Sequence, residues 1–183
     1  MSQVLPHSLL SDFDISLFLH GKHSRLYEKL GAFEIILEGV KGTFFAVWAP
    51  NAQSVHVLGN FNVWDKESHT LFPRWDSSGI WEGFIPNVST GETYKFGIKT
   101  KTGEYLEKLD PFSLYCETPP KTASIVWNTY KEWKDQAWMK DRPTYNSLQS
   151  PMSIYEVHLG SWKRKANGEQ ALSYRELAVQ LVE

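Results

Sequence analysis

Three patterns of apolar and polar positions follow one another along the chain. The first covers residues 1–32. Its large apolar residues recur at roughly helical spacing: Leu9, Leu10, Phe13, Leu17 and Phe18. The stretch HSRLYEKLGA also reads as a short helix, which Gly31 would end because glycine commonly follows the last helical turn. The pattern therefore predicts a short helical leader.

The second pattern begins at Phe33 and is typical of β-structure. Short segments rich in aromatic and β-branched residues are FEIILEG, GTFFAVWAP, SVHVLGN, TLFPRW, GIWEGFIP, ETYKFGIKT and ASIVW. Turn sequences such as EGVKG, PNAQ and DSSG separate them. Strands at this spacing predict a β-sandwich or a barrel over residues 33–128, so the fold class is mainly β.

The third pattern covers the last part of the chain. Residues 129–150 are polar with scattered tryptophans, and we interpret them as a linker. MSIYEVHLGSW then has a strand pattern, and SYRELAVQLVE predicts an amphipathic helix capped by Ser173, with Glu176 three residues later. Residues 151–183 are thus expected to be the first β/α unit of a barrel. One such unit cannot bury both of its apolar faces, so we expect a longer protein.

Composition excludes several classes of function. The formal net charge is −2 and there is no basic block, which argues against nucleic-acid binding and a polybasic membrane anchor. The longest apolar runs, such as FFAVWA, are too short to cross a bilayer. Cys116 is the only cysteine, which rules out an intrachain disulfide and fits a reducing cytoplasm. Eight tryptophans are many for a small domain, so some are expected to be surface platforms.

The stretch GNFNVWD, residues 59–65, carries the first candidate site. Gly59, Asn60 and Asn62 suit a turn, but a turn does not require Trp64. In ETYKFGIKT, alternation places Lys95 on the face opposite the core residues. Trp64, Lys95 and Tyr105 can therefore share one surface, where an aromatic ring covers a sugar and a lysine binds its hydroxyls. The alternative is that Trp64 packs inward as a lid on the sandwich and Lys95 is only solvated.

Sequence signals of catalysis are much weaker. Glu156 and His158 lie two apart on the predicted strand and so would face the same side, as an acid/base or metal pair. A third ligand is missing from their pattern, and the sequence has neither a glycine-rich phosphate loop nor a GxSxG motif. We therefore expect no catalytic residue, no metal site and no cofactor within this chain.

GNFNVWD, YKFGI and LDPFS together resemble the glycogen- and starch-binding module that precedes the catalytic barrel of branching enzymes. PMSIYEVHLGSWKR is similar to the first barrel strand of bacterial 1,4-α-glucan branching enzymes, and DFDISLFLHGKHSRLYEKLGAF to their N-terminal approach. The resemblance covers nearly the whole chain. Debranching enzymes and kinase-associated glycogen sensors share the module motif, whereas YEVHLGSW together with RLYEKLGA is more specific.

The resemblance implies an immunoglobulin-like β-sandwich followed by an α-amylase-type (β/α)₈ barrel. The family cuts an α-1,4 glucan and transfers the chain to a 6-hydroxyl, using carboxylates on later barrel strands that lie beyond residue 183. Trp64 and Lys95 match sugar-contact positions, Tyr105 stands where relatives often carry a second tryptophan, and Asn62 matches the turn motif. The implied partners are α-1,4 glucans, such as glycogen and maltooligosaccharides, and the remaining barrel.

Three alternatives stay open. The module surface can serve mainly to brace the barrel rather than to bind glucan. The chain can be a stand-alone glucan-binding scaffold without catalysis, or the N-terminal part of a glycogen debranching enzyme.

Overall fold

A computed structural model describes residues 3–145, 147–165, 168 and 170–182 of the chain. The strands within these residues are β1 Gly31–Leu37, β2 Val40–Trp48, β3 Ala52–Gly59, β4 Phe72–Pro73, β5 Ile80–Pro86, β6 Thr93–Thr100, β7 Tyr105–Lys108, β8 Tyr115–Cys116 and β9 Ser124–Ile125. The helices are α1 Asp12–Leu19, α2 Gln136–Tyr145, α3 Leu159–Trp162 and α4 Tyr174–Val182. The chain forms two compact units, which meet in sequence between Lys131 and Glu132.

The first unit is a sandwich of two antiparallel sheets, as the strand pattern predicts. One sheet has the order β1-β2-β5-β4. The other has the order β3-β6-β9-β8, with β7 also paired to β6. Its long pair, β3 and β6, sets Leu58 opposite Lys95 and His56 opposite Gly97. This register decides which side chains share the outer face of the second sheet.

The core lies between the two sheets. It is built from alternate residues of facing strands, including Phe45, Val57, Ile85, Tyr94 and Phe96. The alternation proposed for β6 is confirmed, because Tyr94 and Phe96 are buried in this core and Ile98 packs against it. Each large side chain withdrawn from water contributes about 1.5–3 kcal/mol before the entropy of ordering the chain is counted.

The leader covers the opposite face of the first sheet. Neighbouring residues Phe44 and Phe45 of β2 point to opposite faces, yet both are fully buried. Phe44 packs in a second cluster with leader residues such as Leu10 and Ile15. Leu5 also pairs with Phe84 of β5 through two backbone hydrogen bonds of 2.8 Å. The leader is therefore a packed layer of the first unit.

One predicted leader helix is replaced by a shorter turn. The sequence pattern predicts a helix that starts near His23 and ends at Gly31, but only Leu26–Glu28 form a single 3₁₀ turn, and β1 begins at Gly31. An isolated helix of this length is marginal because its first turn costs more entropy than one hydrogen bond returns. Pairing of Gly31 with Ala46 across the sheet therefore prevails.

The second unit confirms the predicted last helix but not the predicted strand. Helix α4 is capped as expected: the Ser173 hydroxyl and backbone N–H both donate to the Glu176 carboxylate at 2.7 Å. Residues 151–158 have no regular structure, and Leu159–Trp162 form a helical turn. A parallel strand needs neighbouring strands for its hydrogen bonds, and the described part of this unit contains no strand to pair with it. The segment expected to be a linker also contains α2, with Pro143 inside it.

Candidate functional site

The turn after β3 is held together by the side chain of Asn62. Its Oδ1 accepts the backbone N–H of Gly59 at 2.9 Å. Its Nδ2 lies within 3.0 Å of the Val57 carbonyl, the Ser68 hydroxyl and the His69 Nδ1. Since all of these groups belong to the protein, Asn62 has its bonding capacity engaged in closing the turn.

His69 completes this buried network. Burial lowers the pKa of the His69 imidazole, so the ring stays neutral near pH 7 and its Nδ1 can accept the amide hydrogen of Asn62. Its ring also meets Phe61 edge-on, with centroids 5.4 Å apart. The turn therefore has a rigid polar and aromatic base, which the sequence pattern alone does not indicate.

Trp64 leaves this turn in a left-handed backbone conformation. Val63 and Trp64 have φ angles of 55° and 60°, values that side chains with a Cβ seldom adopt. Hydrogen bonds hold this conformation in place: the Trp64 N–H donates to the Gly59 carbonyl at 2.9 Å, and its indole Nε1–H donates to the Asn60 Oδ1 at 2.9 Å. The ring is half-buried and belongs to neither core cluster of the described residues.

Lys95 lies beside Trp64 on the outer face of the second sheet. Its Nζ donates to the Thr122 hydroxyl at 2.8 Å, so the amine is anchored rather than freely solvated. Trp64 and Lys95 together line a cleft of about 420 Å³, which we call the tryptophan cleft. Its other lining residues are Asn60, Thr93, Glu107, Glu117, Lys121, Thr122 and Ala123.

The tryptophan cleft combines an aromatic ring with charges of both signs. Glu107 pairs with Lys66 at 2.9 Å and Glu117 with Lys121 at 3.3 Å. Hydroxyl-rich neutral ligands suit such a surface, since carboxylates and hydroxyls accept hydrogen bonds while amines donate them. A flat indole beside these groups can cover the apolar face of a ring-shaped ligand.

Tyr105 does not line the tryptophan cleft. It lies on the same outer face of the second sheet but in a neighbouring pocket of about 460 Å³ with Ser54, His56, Lys66, Glu67, Lys99 and Gly103, which we call the tyrosine pocket. Its hydroxyl lies over Gly97, where any Cβ would collide with it. The structure thus brings Trp64 and Lys95 together, leaves Tyr105 next to them, and uses Asn62 in the turn.

The pair Glu156 and His158 has no comparable site. Both residues lie in the irregular segment before α3, so strand spacing does not place them on one face. The His158 Nδ1 instead meets the Ser161 hydroxyl at 2.7 Å, three residues later.

Comparison with known proteins gives the family. Residues 29–113 match the model of carbohydrate-binding module 48, described as the isoamylase N-terminal domain. The chain carries a family 48 carbohydrate-binding module. Trp64, Lys95 and Tyr105 all lie within the matched residues.

Sequence relatives of the whole chain are branching enzymes, which confirms the resemblance. The chain is 51% identical over 172 residues to a 1,4-alpha-glucan branching enzyme GlgB of Aquifex aeolicus, a match that covers 93% of this chain and 27% of that protein. It is 48% identical over 181 residues to the same enzyme of Aromatoleum aromaticum, with 99% and 28% covered. The chain thus spans about a quarter of the length of these curated relatives.

Solved structures resemble the module more distantly. A Klebsiella pneumoniae pullulanase complexed with maltotriose has a TM-score of 0.43 and 22% identity, over 55% of this chain and 10% of that one. A pullulanase from Bacillus acidopullulyticus has a TM-score of 0.42 and 19% identity, over 55% and 12%. Among the residues that the structure describes, no helix is both long and apolar enough to cross a membrane.

Proposed function

We propose that the tryptophan cleft of this module binds α-1,4 glucan. The observation that supports this most strongly is the shared cleft of Trp64 and Lys95, one an aromatic platform and the other an anchored donor. Glucose units offer an apolar ring face and a rim of hydroxyls, which these two groups complement. Tyr105 and Asn62 have different roles in this proposal: Tyr105 borders the cleft region, and Asn62 holds the turn.

We further propose that the chain is the module-bearing part of a 1,4-α-glucan branching enzyme. In that enzyme, an α-1,4 glucan is cleaved and transferred to a 6-hydroxyl, and the carboxylates of this retaining chemistry would come from barrel strands outside the 183 residues. Identities of 48–51% to branching enzymes over nearly the whole chain favour this assignment over a stand-alone module or a debranching enzyme. The remaining catalytic barrel would be the partner of residues 151–183, and the location would be cytoplasmic.

The two parts of this proposal have separate tests. Titration of the 183-residue protein with maltoheptaose should give measurable binding, and Trp64→Ala and Lys95→Ala should each weaken it by about tenfold or more, as loss of a stacking or charged contact does. Trp75→Ala is the matched control, because Trp75 is 82% exposed in a loop away from the cleft. If Trp64→Ala and Trp75→Ala bind equally well, the cleft is not the glucan site.

Branching activity requires a different measurement. We expect the 183-residue protein alone to leave the iodine spectrum of amylose unchanged, and a chain extended through a complete barrel to shift it. A shift caused by the 183-residue protein would contradict the assignment of the catalytic carboxylates to later strands.

Bracing of the barrel is a second candidate role, and one observation favours it. A further cleft of about 400 Å³ on the first unit is lined by Tyr27, Phe33, Leu114 and Trp127, among others. Exposed apolar side chains in one cleft are typical of a surface that another protein segment covers. Absence of any maltoheptaose binding by wild-type protein would leave bracing as the preferred role.

A further inference from the structure

An ion pair separates the tryptophan cleft from the tyrosine pocket. Glu107 lines the first and Lys66 the second, and their charged atoms are 2.9 Å apart. Register places Glu107 opposite Gly97, beside the ring of Tyr105 on the outer sheet face. A glucan chain seated on Trp64 therefore meets this pair before it can reach Tyr105.

Lys66 also covers the aromatic ring of Tyr105. Its Nζ lies over the ring at 5.0 Å from the centroid, the position of a cation–π contact. A sugar that stacks on an aromatic ring needs the same face. While Lys66 is in this position, Tyr105 cannot serve as a second platform.

The hydroxyl of Tyr105 is poorly accommodated in this arrangement. It is buried over Gly97 and has no hydrogen-bond partner among the described residues. A buried hydroxyl without a partner is disfavoured relative to one in water or bonded to a ligand. We therefore expect the Tyr105 side chain to shift when a hydroxyl-rich ligand can form a hydrogen bond with its hydroxyl.

Opening of the ion pair requires little free energy. The side chains of Lys66 and Glu107 are 59% and 36% exposed, so both charges remain solvated after they separate. Exposed ion pairs of this kind contribute little to stability, and a lysine side chain has many rotamers available. Lys66 belongs to the loop that follows Trp64, so its backbone is not part of the sheet on which its side chain lies.

We propose that Lys66 and Glu107 form a gate that sets the length of glucan the module accepts. With the gate closed, the tryptophan cleft binds a short segment of glucan. With the gate open, the ring of Tyr105 and the tyrosine pocket, which includes His56, become a second subsite for the next glucose units. This inference rests on the proposed glucan binding at Trp64 and adds a determinant of chain length to it.

The test compares two ligands across a small set of variants. Dissociation constants for maltotriose and maltoheptaose are measured by calorimetry for wild type, Lys66→Ala, Tyr105→Ala and the double variant. Lys66→Ala should strengthen maltoheptaose binding relative to maltotriose by about threefold to tenfold, the size of one added aromatic stacking contact. Tyr105→Ala should change little in the wild-type background but abolish the gain in the Lys66→Ala background.

Two further variants test whether the ion pair itself sets the ratio of affinities. Glu107→Gln breaks the ion pair while retaining the shape of the side chain, and it should raise the same ratio without leaving an unpaired carboxylate. Lys101→Ala removes an exposed lysine from the β6–β7 turn and should leave the ratio unchanged.

The outcomes separate this inference from the proposed function. If no variant and no wild-type protein binds either ligand, the glucan site itself is wrong. If Trp64→Ala removes binding but Lys66→Ala leaves the ratio of affinities unchanged, the site stands and the gate is wrong. A loss of wild-type binding in Tyr105→Ala would also overturn the gate, since it would mean that Tyr105 already contacts the glucan.

Discussion

The indole Nε1 of Trp64 lies 2.9 Å from the side-chain Oδ1 of Asn60, four residues earlier. This hydrogen bond ties the edge of the ring to the turn from which it projects. The left-handed φ of 60° at Trp64 gives the ring its direction, and the bond to Asn60 restricts its rotation. A ring held in this way loses less conformational entropy when a ligand stacks on it.

Asn60→Ala should therefore weaken glucan binding without unfolding the module. Loss of one hydrogen bond of about 0.5–1.5 kcal/mol corresponds to a decrease in maltoheptaose affinity of about twofold to tenfold. Calorimetric titration measures the affinity, and thermal unfolding checks that the fold is retained. Asn51→Ala, which changes an exposed asparagine of the β2–β3 turn, is the control and should bind like wild type. Equal affinities for both variants would show that the ring needs no anchoring.

Asn62→Ala should instead lower the stability of the module. This side chain satisfies the N–H of Gly59 and the carbonyl of Val57, each at 2.9 Å. Its removal leaves polar groups unpaired beneath the turn, so we expect a decrease in the free energy of unfolding of about 1–3 kcal/mol. Urea denaturation of Asn62→Ala and Asn60→Ala side by side gives the comparison. The prediction fails if Asn62→Ala is as stable as Asn60→Ala and loses only ligand affinity.

A third prediction concerns the buried pair of Tyr94 and Asp110. The Tyr94 hydroxyl donates to the Asp110 carboxylate at 2.6 Å. Burial raises the pKa of the Asp110 carboxyl, while hydrogen bonds from Tyr94 and from the Phe112 N–H partly offset this. Because the folded pKa exceeds the unfolded value of about 3.9, the resulting contribution to stability is complete below about pH 3.9 and is lost as the pH rises through the folded pKa.

Tyr94→Phe removes a donor that the ionised carboxylate needs. It should raise the pKa of Asp110 further and destabilise the module by about 1–3 kcal/mol, with the larger loss at the higher pH, where Asp110 is ionised. Urea denaturation from about pH 4 to about pH 8 measures this difference, and Tyr130→Phe, at an 84% exposed position, is the control. A loss of stability that does not depend on pH would mean that Asp110 keeps one protonation state throughout.

Much of the sandwich could be predicted from local pattern. Alternation along β6 places Tyr94 and Phe96 in the core because a strand has a period of two residues. Local pattern does not predict the short strands β7 and β8: they have only four and two residues, and each depends on pairing with its neighbour in sequence, β6 for β7 and β9 for β8. The strand expected over residues 152–162 fails for the same reason, since pairing partners are not a property of the segment itself.

Only part of the candidate site could be predicted in the same way. Period-two alternation places Lys95 on the outer face, whereas turn chemistry accounts for Asn62 but does not decide whether Trp64 lies beside Lys95. The separation of Tyr105 from this cleft depends on Lys66 and Gly97, whose contacts arise from sheet register and loop conformation rather than from spacing. The buried network of Asn62 and His69 also could not be predicted from the sequence. The local pattern around a turn residue and a core residue is the same whether or not their side chains form a hydrogen bond.

The last prediction concerns Gly97, which leaves room for Tyr105 on the sheet. A Cβ at Gly97 would collide with the Tyr105 hydroxyl, come within 2.9 Å of its Cζ, and lie 3.2 Å from Leu58 Cδ1. Gly97→Ala should therefore cost about 1–3 kcal/mol of stability, as overpacking does. Tyr105→Ala should restore most of that loss, because it removes the colliding ring and so makes the two changes non-additive. Urea denaturation of wild type, the two single variants and the double variant gives the free energies of unfolding for this double-mutant cycle. If the losses simply add, the contact between Tyr105 and the strand at Gly97 does not exist in solution.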